Sequence, residues 1–455
     1  MPTKKTSKKT IVIKDSIGTV IGNYAKVVIN QVNEKFIKRL GIEQRIFFSI
    51  LFFAIILVGI FLYFALRPKV ATTMSGDFRI AVAGFAVNGQ GAPDDLGYEL
   101  ASDVNLRLEQ DIHEINPDLV VTVWGPDQIG SIQGNDATSR AEQAEKIADR
   151  IQADMVVYGV VNLNGSNWDV TPEFYISTQN FYEAREITGQ SDLGQALSFP
   201  SFTNPAWRYE FGKQMYARTQ ALSIISVGLG YYALRNYSTA LQEFQSAENV
   251  QGWSDDQGKK VLYVLIGNAA GKLNNFDLLN TSVQEALAID PEYARPYIGL
   301  AYVMYFRAIA PFQKSQKPTD VDNSYLTQCI NYSNQALAAK DKPPLADVVE
   351  KADFARGQCY FLQAYSGHLN GFSLAIKDFQ SVISAYDKGA NPRIRELAGE
   401  SNARLGLIDN LDGNITIAAQ EYQTAADLLP DVPDQQLLYR NRAQALRGGL
   451  MTSTP

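Results

Sequence analysis

Two histidines and two cysteines in 455 residues leave the chain poor in the side chains that carry most acid–base, nucleophilic and metal chemistry. His113 follows Ile112 near a helix end, and His368 sits in the Gly-rich SGHLNG. Neither has a Cys or His partner at metal-ligand spacing, so both read as surface residues. G-x-S-x-G, H-E-x-x-H and a phosphate loop are all missing. NGQG at 88–91 holds a G-x-G after a strand-like run, but no Lys-Ser/Thr follows and no third glycine opens a helix, so it reads as a flexible loop. Asp94-Asp95 and Asp255-Asp256 are turn pairs better suited to solvation or capping than to general acid work. These absences argue against an enzyme and against any metal or other cofactor. Cys329 and Cys359 are too few for a disulfide scaffold. Both read as small buried hydrophobes, with one bridge between neighbouring helices as the alternative.

What is present is unevenly distributed. A composition 46% hydrophobic and 20% charged is that of folded protein. The net charge of −7 hides a basic head: residues 1–45 hold ten Lys/Arg against three Asp/Glu, or +7, which leaves −14 on the rest. An acidic body argues against nucleic acid as a partner. After the head comes IFFSILFFAIILVGIFLYFAL, Ile46 to Leu66, uncharged and with Ser49 its only clearly polar side chain. At about 1.5 Å per residue such a run matches a membrane-spanning helix, and it lies too deep and is too long for a cleaved signal. Lys35, Lys38, Arg39 and Arg45 precede it and only Arg67 and Lys69 follow closely. The charge bias predicts a single-pass cell-membrane protein with a cytoplasmic N-terminus and residues 70–455 extracytoplasmic.

Beyond the span, residues 77–200 alternate strand-like and helical patterns. FRIAVAGF (78–85), LVVTVWG (119–125), DMVVYGVV (154–161) and DVTPEFYIS (169–177) read as strands. Between them, Leu96, Leu100, Val104 and Leu108 fall at helical spacing, as do Ala141, Ala144, Ile147, Ala148 and Ile151. This spacing predicts βαβ crossovers and a mainly parallel sheet. With its IAVAGF-type first strand, the segment resembles the N-terminal α/β domain of TolB and the core of CsgG-like envelope proteins.

From 217 to 450 strands vanish and a repeat takes over. Gly228, Tyr231, Tyr237, Ala240, Phe244 and Ala247 alternate small and aromatic residues, as two packed helices require. Gly267, Ala286 and Pro291 repeat the pattern, then Tyr297, Leu300 and Ala301, then Gly357, Tyr360, Ala375 and Phe379, and last Gly406, Ala418, Tyr422, Ala425 and Pro430. The five copies resemble tetratricopeptide repeats, with DQQLLYRNRAQALRGG as a capping helix. Leu279 departs from the pattern where Ala is usual, and the third and fourth copies carry insertions (PFQKSQKPTDVDN and AYSGHLN) that could bend or widen the array. Stacked helical pairs leave a concave groove lined by their first helices. Aligning the copies directs Tyr232, Asn268, Lys272, Arg295, Tyr302, Tyr305, Phe306 and Gln358 toward it, a set suited to gripping protein or peptide partners. Inter-repeat packing is the competing role for the aromatics. Nothing resembles the Lys/Asn carboxylate clamp of chaperone-binding members.

IGTVIGNYAKVVINQ (17–31), inside a β-rich motif spanning 11–32, has two readings. Ile17, Val20, Ile21, Tyr24, Val27 and Val28 share a helical face, which suits a membrane-surface helix. Gly18 and Gly22 each cost about 1 kcal/mol in a helix, and the dense β-branched clusters suit stacked β-arches. Val20, Ile21, Gly22, Asn23, Tyr24, Val27, Val28 and Ile29 resemble the core of the RIP homotypic interaction motif and its bacterial amyloid-signalling relatives, which implies homo-assembly. The sequence departs from that pattern at Val20, where Gln is commonly central, and at Ala25. The fold class expected is therefore α+β multidomain: one transmembrane helix (46–66), a small α/β domain (77–200) and an all-α repeat solenoid (217–450). The expected function is protein–protein interaction as a scaffold or sensor, with an envelope-assembly or export accessory as the alternative.

Overall fold

The computed structural model describes residues 73–449, apart from 116–117, 180, 182–186, 203–205, 255–257, 388 and 390. The chain divides into two units, residues 1–71 and 72–455, and the described residues belong to the second. Its first part is a seven-stranded sheet. The strands are β1 (Phe78–Val82), β2 (Ala86–Asn88), β3 (Val121–Trp124), β4 (Met155–Asn164), β5 (Asn167–Ile176), β6 (Gly189–Asp192) and β7 (Leu197–Phe199). They run in the order β3-β1-β4-β5-β6, with β2 also on β4 and β7 also on β5. Helices α1 (Leu96–Ile115), α2 (Pro126–Ile129) and α3 (Ala137–Ile151) separate the first strands.

Here the expected fold class is corrected. β1 runs parallel to β3 and β4, but β5 lies antiparallel to β4, β6 and β7, so the sheet is mixed and not mainly parallel. The cause is local: only Gly165 and Ser166 separate β4 from β5, which is a hairpin turn and too short for a crossover. The unit is mostly helical, and among the described residues no helix is long and apolar enough to cross a membrane. The transmembrane helix expected at 46–66 falls outside the described residues.

The remaining helices pair. They are α4 (Ala206–Ala233), α5 (Tyr237–Glu248), α6 (Lys259–Lys272), α7 (Phe276–Ile289), α8 (Ala294–Ser315), α9 (Asn323–Ala338), α10 (Val348–Tyr365), α11 (Ser373–Asp387), α12 (Arg395–Leu411), α13 (Ile415–Leu428) and α14 (Pro433–Arg447). Five pairs run from the C-terminal half of α4 with α5 to α12 with α13, and α14 closes the array against α13. Within a pair the helices approach closely because a small residue faces an aromatic: a Cβ on Gly228 would stand 2.5 Å from the Phe244 ring. The first helices also touch along the array, α6 with α8, α8 with α10 and α10 with α12, and so form its inner layer. Tetratricopeptide-like helical repeats describe this part.

Sheet and repeats are not separate bodies. The sheet face bearing Phe78, Ile80, Met155 and Phe174 packs on α1 and on Phe211, Leu222 and Ile225 of α4, in one core that continues to Leu262 and Leu265 of α6. The opposite face, with Ala81, Val156, Tyr158 and Tyr175, is covered by Ala144, Ile147, Ala148 and Ile151 of α3. Within that layer Arg140 and Glu173 form a buried, two-pronged ion pair.

Cys329 of α9 and Cys359 of α10 are fully buried and joined as a disulfide, with Cα atoms 6.5 Å apart. Burial agrees with the first sequence reading, but the bridge between neighbouring helices replaces two free thiols. It closes a loop of 30 residues and ties the third pair to the fourth. A loop of that length is worth about 3–4 kcal/mol in chain entropy.

Candidate functional site

Two environments on the helix pairs hold polar side chains. The first is the edge facing the sheet. Arg295, at the start of α8, is buried and its guanidinium donates to the carbonyls of Ile187, Thr188 and Gln190 at 3.3, 2.6 and 3.1 Å. The Gln190 N–H in turn donates to the Pro344 carbonyl at 3.0 Å, so the outer edge of β6 is covered. Gly189 makes this approach possible: its φ is +94°, and a Cβ there would lie 2.6 Å from the Leu345 carbonyl. Further along, Arg393 bridges Glu145 of α3 at 3.1 Å and Asp347 at 3.2 Å. Lys260 sits between Asp290 at 2.7 Å and Asp341 at 2.6 Å, 4.7 Å from the Tyr293 ring centroid. Burial works against its charge, and the two carboxylates more than offset this, so its pKa lies above the usual lysine value.

The second environment is the inner layer. A pocket of about 300 Å³ opens between α6, α7 and α8. Leu279 and Val283 are buried at its floor, and Gly267, Gly271 and Gly299 leave its helical walls without side chains. Phe276 and Phe306 stack at 5.4 Å along one side, with Phe306 42% exposed. Val264, Asn268, Lys272, Arg295 and Tyr302 complete the lining. Leu279 is the residue that departs from the repeat pattern, and its bulk fills the space beside Gly271, 2.8 Å from where a Cβ would lie.

Of the eight groove residues expected from sequence, Asn268, Lys272, Arg295, Tyr302 and Phe306 therefore meet in one pocket. Arg295 also serves as the bolt to the sheet. Tyr305 turns its ring edge-on to Phe306 at 5.6 Å, outside the pocket lining. Tyr232 is buried between Phe181 and Tyr237 at 6.3 and 5.0 Å and belongs to the packing of the first pair. Gln358 is buried on α10, and its Oε1 has no hydrogen-bond partner. Val20, Ile21, Gly22, Asn23, Tyr24, Val27, Val28 and Ile29 lie outside the described residues. Arg404 on α12 is absent from the sequence expectation, although it stands one helical turn from Glu400 on the first helix of the fifth pair.

No family model and no curated relative matches the chain. Among solved structures, a thermophilic tetratricopeptide-repeat protein of Thermus thermophilus is 18% identical with a TM-score of 0.35, the match covering 49% of this chain and 99% of that one. The repeat character of residues 217–447 stands on its own helix pairs.

Both histidines are exposed and far apart in the chain. His368 Nδ1 meets the Ser366 hydroxyl at 2.9 Å, but that oxygen also donates to the Leu362 carbonyl at 2.7 Å and so caps the end of α10.

Proposed function

We propose that this protein is a non-catalytic interaction scaffold that holds an extended protein segment along the inner layer of its helical repeats, with the described part outside the cytoplasm. The pocket between α6, α7 and α8 carries the reading. Its apolar floor, aromatic wall and polar rim suit one bulky side chain entering from a chain laid across the first helices. Rigid rings that are already packed on one another supply contact area with little loss of rotamer freedom. Replacing Tyr302 and Tyr305 together by Ala should abolish partner capture in a pull-down while the far-UV circular dichroism stays unchanged. Undiminished capture by that variant would remove the inner layer as the binding surface.

The location rests on the disulfide. Buried disulfides persist in oxidising compartments and are rare where glutathione and thioredoxin keep thiols reduced. Alkylating free thiols before lysis and mapping peptides by mass spectrometry should return Cys329 and Cys359 linked. Alkylated Cys329 and Cys359 would place residues 73–449 in a reducing compartment.

A further inference from the structure

We propose that the segment held by the inner layer is acidic, seating a bulky apolar side chain in the α6–α8 pocket and a carboxylate on Arg404. The inference rests on the groove reading above and adds the chemistry of the partner. Arg404 lies half-buried on α12. Its Nε is buried without a hydrogen-bond partner, and no carboxylate among the described residues reaches it as an ion pair. Burial opposes its charge, yet Tyr305 of α8, Glu400, Tyr439 and Tyr422 around it favour the charged form, so it stays a cation. Glu400, the acid that favours this charge, accepts the Tyr439 hydroxyl on both oxygens, at 3.1 and 3.0 Å. A guanidinium drawn partly out of water without an ion-pair partner is costly, and an incoming carboxylate on its accessible Nη groups answers that charge.

Position ties this cation to the pocket. Tyr305, near enough to favour the charge on Arg404, is the chain neighbour of Phe306, which lines the pocket, and the Tyr305 and Phe306 rings meet at 5.6 Å. Helix α10 packs against both α8 and α12. It carries Gln358, whose buried Oε1 is an acceptor without a donor. An extended segment rises about 3.3 Å per residue, so its apolar side chain and its carboxylate would be only a few residues apart. No described carboxylate lines the pocket, whereas Lys272 and Arg295 do, so charge favours an acid here too.

Selection of a random peptide library on the full-length chain tests this. The expected peptides combine Asp or Glu with Leu, Phe or Trp a few residues away. Arg404→Gln should erase the acidic preference, keep the apolar one, and weaken a selected peptide about tenfold by fluorescence anisotropy. Arg404→Lys should recover part of that loss. Asn268→Trp, which fills the pocket mouth, should erase enrichment altogether, with thermal melts confirming that each variant is folded. Selected peptides with no acidic bias, or a bias that Arg404→Gln leaves intact, would overturn the acidic assignment alone. Enrichment that survives Asn268→Trp, or none on the native chain, would overturn the groove reading and this proposal with it. Amidating a selected peptide's C-terminus separates a side-chain carboxylate, which binds unchanged, from a terminal one.

Discussion

Along the edge that meets the sheet, cations are paired with carbonyls or carboxylates of the same chain; on the inner layer Arg404 has no such partner among the described residues. Arg295 answers three carbonyls, Arg393 two carboxylates and Lys260 two more. Across the repeats, Gln358 and Arg404 each keep a buried polar atom without a partner, and Phe276 and Phe306 stack beside an open pocket. The same scaffold thus offers two solutions for polar side chains. Where geometry is meant to be permanent, most hydrogen bonds are completed within the chain, with the Nε of Arg295 the exception among its donors. Where they are left incomplete, a second molecule can complete them.

That contrast can be broken or sharpened by experiment, beginning where the largest effect is expected. Arg140→Leu strands the Glu173 carboxylate inside the sheet layer and should cost about 3–5 kcal/mol in urea unfolding. Adding Glu173→Leu should restore most of it, because the remaining pair is then apolar. Reducing Cys329–Cys359, or replacing both by Ser, should lower stability by about 3–4 kcal/mol, read as a shift of the unfolding midpoint with and without reductant. Arg295→Ala should cost about 1.5–3 kcal/mol by freeing buried carbonyls, whereas Phe306→Ala should cost under about 1 kcal/mol and act on partner capture instead. Equal stability losses from those two variants would dissolve the distinction between edge and groove.

A further small effect concerns pH. Burial, then the neighbouring Asp409, pushes the Glu421 carboxyl up to about 8. The folded state therefore holds a proton that the unfolded chain has released, so stability falls as pH rises from about 4.5 to 8 and levels off above. Glu421→Gln should flatten that slope, by on the order of 1 kcal/mol after solvent screening. A slope unaltered by Glu421→Gln would assign it to other groups.

Legibility followed the range of the interaction. The span of α1, Leu96–Ile115, and the five helix pairs follow from local spacing of apolar, small and aromatic residues. Strand β6, GQSD, carries no apolar alternation at all and exists because it pairs with β5 and is closed by Pro344. The mixed sheet turned on Gly165-Ser166, a two-residue hairpin loop between two strand-like runs. Arg393 and Glu145 stand 248 positions apart, so no periodicity could join them. Arg295 shows the limit most plainly: register alone aims it at the groove, while tertiary packing turns most of its donors toward the sheet.

Helix α4 has a mechanical meaning. Its 28 residues, about 42 Å of continuous helix, begin against the sheet layer and end inside the first repeat. A stack of helical repeats held only by neighbours flexes like a spring, each interface adding a little give. Here α4 anchors one end, Arg295 and Pro344 pin two later points to strand β6 and its preceding segment, and Arg393 pins a third to helix α3 on the sheet's other face. The stack is splinted along its length. The width of its inner layer is then set before any partner arrives, and a bound segment loses its own freedom without having to quiet that of its host.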